Sequence, residues 1–177
     1  MAVLETQRLL IRPMIESDAE DVYRYSKNLK VGLNAGWKPH ESREETRTIM
    51  REIFLDRENV WGIILKDSKK LIGSIGLVED PKRENKRARM LGYALGEEHW
   101  GKGLMTEAVR RVIQFGFEEI GLDLISAYCY PTNERSRRVL KKCGFRYEGT
   151  LSMAEEIYNG EIRDNECYAQ KRREYGK

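Results

Sequence analysis

The sequence has little of what builds disulfide frameworks, zinc sites or membrane spans. Its three cysteines, Cys129, Cys143 and Cys167, are widely spaced and include no C-x-x-C pair. An odd number of scattered cysteines argues against both a disulfide framework and structural zinc, and we predict no metal site. No run of about 18 apolar residues occurs, so we predict no transmembrane helix.

An excess of charge of one sign is also missing. The chain has 32 Lys and Arg against 29 Asp and Glu, a formal net charge of +3. Such a balance does not indicate nucleic-acid binding, and we expect direct contact with neither nucleic acid nor membrane. The first ten residues, MAVLETQRLL, lack the apolar run of a signal peptide. We therefore expect a cytoplasmic protein, and the length of 177 residues predicts one domain, residues 1–177.

What the sequence does contain is seven segments with the apolar pattern of β-strands. Three consecutive ones are joined by short polar links and predict an antiparallel meander. A helical segment connects the third of these to the next strand, which predicts a parallel pair. The Asn159-Gly160 turn predicts a terminal hairpin. In chain order the strands are Arg8–Met14, residues 60–66, 70–78 and 89–95, Leu124–Tyr130, Phe145–Ala154 and Asp164–Lys171.

Four segments are predicted to be helical. Capping boxes, in which a hydroxyl and a glutamate three residues later satisfy backbone donors, open the first two at Ser17–Glu20 and Ser42–Glu45. Between them, Leu29–Glu41 holds two glycines and a proline, which predicts an irregular loop. The other two helices run from Gly103 to about Gly121 and over Asn133–Cys143. The elements predict an α/β fold, α+β by stricter counting, with a single mixed, mostly antiparallel sheet flanked by helices.

The strongest functional signal is Gly92–Thr106, GYALGEEHWGKGLMT, which runs from a strand through a glycine turn into a helix. The first amides of a helix have no partner within it and the dipole there favours negative charge, so this stretch predicts a phosphate site. Gly103 stands where the motif G-x-x-x-x-G-K-[ST] needs a magnesium-binding hydroxyl, which disfavours a nucleoside triphosphatase. A tight turn without a ligand also explains the glycines.

This stretch resembles the acyl-CoA loop of the GNAT superfamily of N-acetyltransferases. HWGKGLMTEA is similar to the form typical of Rim-type ribosomal-protein N-terminal acetyltransferases. The superfamily pattern [QR]-x-x-G-x-[GA] is here Trp100-x-x-Gly103-x-Met105, which departs from it at both ends. Further similar segments are TQRLLIRP, SDAEDVY, Asn133-Glu134-Arg135-Ser136, Cys143-Gly144-Phe145, Asn159-Gly160-Glu161 and Arg163-Asp164. The resemblance thus spans almost the whole chain.

The resemblance implies the acyl-CoA N-acetyltransferase fold, acetyl-CoA as the donor, and a strand before the loop that splays from its parallel neighbour. Asn133 would then bind the pantetheine amide, although it also fits a plain helix N-cap. The Ser136 hydroxyl would donate a proton to the departing thiolate. The residues implied to hold the pyrophosphate and the pantetheine arm are Tyr93, Ala94, Leu95, Trp100, Gly101, Lys102, Gly103, Leu104, Met105 and Thr106.

The roles of Glu97, Arg138 and Cys129 are open at this point. Glu97, like its neighbours Glu98 and His99, follows the strand and is a candidate base for the acceptor amine, although an exposed glutamate in a chain this rich in charge is more often a solvated surface residue. Arg138 belongs to a basic helix that either meets the 3′-phosphate of CoA or faces solvent. Cys129 lies near the expected thiol position or is an inert core residue.

These observations predict an acetyl-CoA-dependent N-acetyltransferase that transfers the acetyl group directly to a primary amine, an α-amine of a protein N-terminus. The alternatives are acetylation of a small amine (a polyamine, amino acid or antibiotic) and a non-catalytic acyl-CoA-binding module. We expect the acceptor site among Leu29–Glu41 and the terminal hairpin. The resemblance also implies a homodimer.

Overall fold

A computed structural model describes residues 2–176 of the chain. The strands are β1 (Leu4–Glu5), β2 (Leu9–Arg12), β3 (Val60–Leu65), β4 (Lys70–Val78), β5 (Ala88–Leu95), β6 (Leu124–Cys129), β7 (Arg146–Glu156) and β8 (Ile162–Lys171). They form one sheet in the order β1-β2-β3-β4-β5-β6-β8-β7. The pair β5 and β6 is parallel and the other neighbours are antiparallel, which confirms the predicted mixed, mostly antiparallel sheet.

Helices cover both faces of the sheet. They are α1 (Ala19–Ser26), α2 (Leu29–Ala35), α3 (Arg43–Ile53), α4 (Leu104–Phe115) and α5 (Glu134–Lys142). Apolar side chains of α1, α2 and α3 pack on one face, and those of α4 and α5 pack on the other. A π-helical turn, Gly116–Ile120, extends α4 to Gly121, where the predicted helix also ends. None of the helices in residues 2–176 is long and apolar enough to cross a membrane.

The prediction of an irregular loop over Leu29–Glu41 is wrong, because α2 fills its first half. The Asn28 side chain caps this helix by accepting hydrogen bonds from the N–H groups of Lys30 and Val31. Gly36, at φ +84°, ends it in the left-handed conformation that glycine adopts without strain. A glycine that suggested a loop therefore marks the end of a helix.

The two predicted capping boxes form differently from the expected pattern. At the first, Asp18 and not Ser17 supplies the capping side chain. Its carboxylate accepts a hydrogen bond from the Ile15 N–H at 2.9 Å, and α1 begins at Ala19. At the second, the Ser42 hydroxyl accepts from the Glu45 N–H at 3.0 Å as predicted. The Glu45 carboxylate, however, accepts from the N–H of Glu41 and not from that of Ser42.

The parallel pair β5–β6 opens after three residue pairs. Ala88–Met90 of β5 pair with residues 124–126 of β6. Beyond them β5 stays paired with β4 as far as Leu95, while β6 follows β8 as far as Cys129. The two strands therefore diverge and leave a split in the middle of the sheet.

A buried carboxylate ties the loop after β4 to β6. Asp80 accepts hydrogen bonds from the Ser126 hydroxyl at 2.6 Å, the Tyr128 hydroxyl at 2.8 Å and the Arg83 guanidinium at 2.9 Å. Its side chain is only 1 % exposed. Burial acts to raise the pKa of Asp80, but these donors and the N–H of Lys82 together hold that pKa below its usual range.

Asp80→Ala should therefore lower the free energy of unfolding at pH 7 by about 3 kcal/mol, because it leaves buried donors without their acceptor. Urea denaturation measures the loss. The folded-state pKa lies below the ordinary value of 3.8, so the ionised carboxylate stabilises the fold above that pH and the difference from wild type should shrink as the pH falls below it. Glu84, exposed on the same loop, supplies the control variant Glu84→Ala. Equal losses in the two variants would contradict the assignment.

Candidate active site

A cavity of about 1000 Å³ passes through the split between β5 and β6. On one side its walls come from the glycine turn, the start of α4 and α5. On the other side they come from α2, Trp37, Tyr130 and the terminal hairpin. Of the site residues predicted from the sequence, Tyr93, Ala94, Leu95, Trp100, Gly101, Gly103, Leu104, Met105, Thr106, Asn133, Ser136 and Arg138 line this cavity, whereas Lys102 and Glu97 do not.

The glycine turn exposes a row of backbone donors. Gly101 and Gly103 both have φ +75°, a conformation in which other residues are strained, and a Cβ at Gly101 would meet no atom within 4 Å. No group in residues 2–176 accepts a hydrogen bond from the amides of Gly101 through Thr106. These amides also lie at the N-terminus of α4, where the helix dipole is positive. The turn therefore fits a diphosphate group.

Thr6 and Arg8, which lie between β1 and β2, stabilise this turn through side-chain hydrogen bonds. The Arg8 guanidinium donates to the Glu107 carboxylate at 2.7 Å and to the Lys102 carbonyl at 2.9 Å. The Thr6 hydroxyl donates to the other Glu107 oxygen at 2.5 Å. Burial acts to raise the pKa of Glu107, but hydrogen bonds from Thr6 and Arg8 hold it below its usual range. The ionised Glu107 thus joins the TQRLL segment to the TEA segment, about 100 residues apart, and sequence reasoning had no signal for this contact.

The backbone of β5 presents donors to the split. The Gly96 N–H donates to the Ile72 carbonyl of β4 at 2.8 Å, whereas the Leu95 carbonyl faces the opposite way and accepts from the Trp100 indole at 2.7 Å. Because backbone groups alternate along a strand, the N–H groups of Tyr93 and Leu95 face the split. The backbone groups of Ala94 face β4, so Ala94 lines the cavity without offering it a backbone donor.

A hydroxyl pair lies where β5 approaches α5. The Tyr93 hydroxyl is 2.8 Å from Ser136 Oγ. Burial raises the pKa of Tyr93, so its phenol stays protonated at neutral pH. Asn133 is the N-cap of α5, since its side-chain oxygen accepts from the Ser136 N–H at 3.1 Å. Its amide NH₂ donates to the Asn34 carbonyl of α2 at 3.4 Å, which connects the two sides of the split.

Cys129 also lines the cavity, at the end of β6. Burial, reinforced by the nearby Glu166 carboxylate, raises the pKa of its thiol to about 11. The thiol is therefore neutral at pH 7 and is not activated as a nucleophile.

Glu155 of β7 is the residue that sequence reasoning missed. Among the described residues lining the cavity it is the one carboxylate, and it faces the split from the side opposite to the phosphate turn. A Cβ added to Gly36 would lie 3.0 Å from Glu155 Oε1 and 2.4 Å from the Tyr130 hydroxyl, so α2 ends directly against this pair. Glu155 follows a register shift in the β7–β8 pairing, with Met153 at φ +50°. Such a bulge redirects the side chains after it, and the sequence pattern does not disclose it.

The other two open residues have partners outside the split. Glu97 accepts hydrogen bonds from Lys30 at 2.5 Å and Asn28 at 2.9 Å. The bond from Lys30 is the main cause that lowers the pKa of Glu97, which makes this carboxylate a weak proton acceptor. Arg138 lines the cavity beside the phosphate turn and pairs with Glu134 at 3.3 Å on the helix surface.

Comparison with known proteins identifies the family of the chain. A family model described as an acetyltransferase (GNAT) domain matches residues 8–146. The chain belongs to the GNAT family. Two Bacillus subtilis (strain 168) proteins that carry the name N-acetyltransferase are similar over nearly the whole length. YoaA is 33 % identical over 94 % of this chain and 95 % of its own, and YjcK is 39 % identical over 94 % and 96 %.

Solved structures of GNAT proteins match the fold. An acetyltransferase from Bacillus anthracis has a TM-score of 0.86 at 27 % identity and covers 98 % of this chain and 100 % of its own. The ribosomal-protein-S5-alanine acetyltransferase from Vibrio fischeri has 0.78 at 25 % identity, with both chains fully covered. Spermidine N-acetyltransferase from Vibrio cholerae, solved with CoA and spermine, has 0.80 at 22 % identity, covering 96 % and 99 %.

This GNAT chain is therefore an N-acetyltransferase with acetyl-CoA as its donor. Its own residues fit the donor, because the unpartnered amides of the glycine turn suit a diphosphate and the exposed N–H groups of β5 suit an amide-rich pantetheine arm. The same cavity continues to the far side of the sheet, where an amine can approach.

Arg8→Ala should raise the KM for acetyl-CoA about fivefold with a smaller change in kcat, because the phosphate turn loses a support worth about 1 kcal/mol. Steady-state kinetics with acetyl-CoA as the varied substrate measure the effect. The control is Arg51→Ala, which removes an ion pair with Glu16 at the start of the chain's first helical segment. A KM equal to that of the control would show that Arg8 does not support the turn.

Proposed function

We propose that the protein transfers the acetyl group of acetyl-CoA directly to the α-amine of a polypeptide N-terminus. The observation that carries this proposal is the continuity of one cavity from the phosphate turn, through the β5–β6 split, to Glu155, the one carboxylate that residues 2–176 contribute to its lining. The structural match to a ribosomal-protein-S5-alanine acetyltransferase, at 25 % identity over the full chain, supports this choice of acceptor.

On the donor side, bound acetyl-CoA supplies an activated acetyl thioester, and the chain orients it. The N–H groups of Tyr93 and Leu95 are placed to polarise the thioester carbonyl. The Ser136 hydroxyl gives a proton to the sulfur that leaves. The Tyr93 phenol, 2.8 Å from Ser136 Oγ, keeps its own proton and orients the serine hydroxyl, which regains a proton from solvent when the products leave.

On the acceptor side, Glu155 removes the proton that keeps the amine from attacking. An ammonium group has no lone pair, so a carboxylate opposite the thioester, acting directly or through one water, makes the amine reactive. Glu97 is not assigned this role, because Lys30 and Asn28 hold its carboxylate outside the cavity. The neutral thiol of Cys129 fits a direct transfer with no acyl-enzyme.

Ser136→Ala should lower kcat about 100-fold, as expected when a general acid is lost, while the KM for acetyl-CoA stays within about threefold. The Asn133 cap bonds the backbone N–H of Ser136, so the substitution preserves α5. Ser152→Ala, on the exposed face of β7, is the matched control. An unchanged kcat would remove Ser136 as the proton donor.

Glu155→Gln should reduce kcat/KM for a peptide acceptor about 100-fold, because the amide cannot accept the ammonium proton. Acetyl-CoA binding, followed by thermal shift, should remain as in wild type. The neighbouring Glu156 is exposed, so Glu156→Gln is the control that shows whether loss of any negative charge on β7 lowers kcat/KM. If both substitutions slow the enzyme equally, Glu155 is not the base.

A further inference from the structure

The acceptor half of the cavity has a floor of small residues on β4 and β5. Gly76 pairs with Gly92, and two residues along, on the same face of the sheet, Ser74 pairs with Ala94. Directly paired residues of antiparallel strands present their side chains on the same face, so these four positions form one patch. A Cβ at Gly92 would meet no atom within 4 Å, so the space above the β5 side of the patch is open, whereas a Cβ at Gly76 would lie 3.2 Å from both Asn59 O and Val60 Cγ2.

This floor is the base of a groove. Its side walls include Trp37, Phe54, Pro81 and Tyr128. From Ala94 at the split to Met90 at the far end the floor spans four residue steps of strand, or about 14 Å at about 3.4 Å per residue. That is the length of three to four extended residues of a second chain, and longer than a single amino acid.

The charges along the groove differ at its two ends. Glu155 lies near the split. At the far end the Lys82 ammonium lies 4.1 Å from the centre of the Tyr128 ring and has no carboxylate partner within residues 2–176. A polyamine carries several positive charges, and it would meet one carboxylate and then a lysine. An acceptor with a negative group at its distant end matches this pattern instead.

We propose that the acceptor is an extended peptide whose first three or four residues lie on the Gly76–Gly92 floor and carry an acidic side chain toward Lys82. This inference rests on the proposed function and narrows it. The open space at Gly92 permits the acceptor backbone to lie close to the sheet, and Lys82 selects the acidic side chain.

The test compares four acceptors: alaninamide, spermidine, and two tetrapeptide amides with free N-termini that carry glutamate or lysine at the fourth position. Wild type should prefer the glutamate peptide to the lysine peptide about fivefold in kcat/KM, as expected for one partly exposed charge pair, and Lys82→Glu should reverse this order. Lys86→Glu, an exposed position on the same loop, is the control and should keep the wild-type order.

Gly92→Val tests the floor. It should lower kcat/KM for the tetrapeptides about tenfold more than for alaninamide, because the added side chain occupies the space of the second and later residues. Calorimetric titration of the glutamate peptide into CoA-saturated protein gives a readout independent of turnover and should show the same loss. Retained stabilisation by acetyl-CoA verifies that the variant folds.

The outcomes distinguish a failure of the acceptor inference from a failure of the proposed function. Equal use of the two tetrapeptides by both wild type and Lys82→Glu would overturn the acidic acceptor while leaving an enzyme that acetylates peptide N-termini. Spermidine as the best acceptor would overturn the proposed function, and the acceptor inference with it. A protein that binds acetyl-CoA but acetylates none of the four amines would overturn the proposed function, and the acceptor inference with it.

Discussion

The opening between β5 and β6 is the constraint on which the rest of the site depends. Only three residue pairs hold these parallel strands together, and beyond them each strand keeps a partner on its other side. The separation leaves the N–H groups of Tyr93 and Leu95 facing a cavity instead of a neighbouring strand. A buried donor without an acceptor is unfavourable, so these two N–H groups favour the binding of a ligand that accepts from them. In a fully paired sheet they would instead donate to the neighbouring strand.

The two faces of the sheet also present different chemical groups to the split. On the α4–α5 face the glycine turn and the helix dipole favour phosphate, and the Arg8–Glu107–Thr6 contact fixes the turn against the N-terminal strand. On the α1–α3 face the sheet is left partly uncovered, with glycines where larger side chains would fill the space. In the proposed reaction, donor and acceptor therefore reach one another through the sheet and not across its surface.

Sequence reasoning succeeded where the signal is local. The glycine turn, the cap at Asn133 and the Asn159-Gly160 hairpin each follow from a few adjacent residues, and each forms as predicted. It failed at α2, because Gly36 can end a helix as readily as it opens a loop. The short strand β1 carried too few residues for any pattern.

Long-range features were beyond the sequence. The contact between Arg8 and Glu107 joins segments that no periodicity relates. Glu97 lies beside the strand end in sequence, but a 3₁₀ turn over Glu97–His99 and the pairing with Lys30 direct it away from the cavity. Glu155, far away in the chain, enters the cavity because of a bulge in β7. Proximity along the chain therefore favoured Glu97, whereas the glutamate that lines the cavity is Glu155.

A crystal structure of the protein with CoA tests the central claim most directly. The account predicts the diphosphate on the amides of Gly101 through Thr106, the pantetheine arm along β5 within the split, and the thiol within hydrogen-bonding distance of Ser136 Oγ. A CoA molecule bound elsewhere on the surface, or one whose thiol lies outside the β5–β6 split, would contradict it.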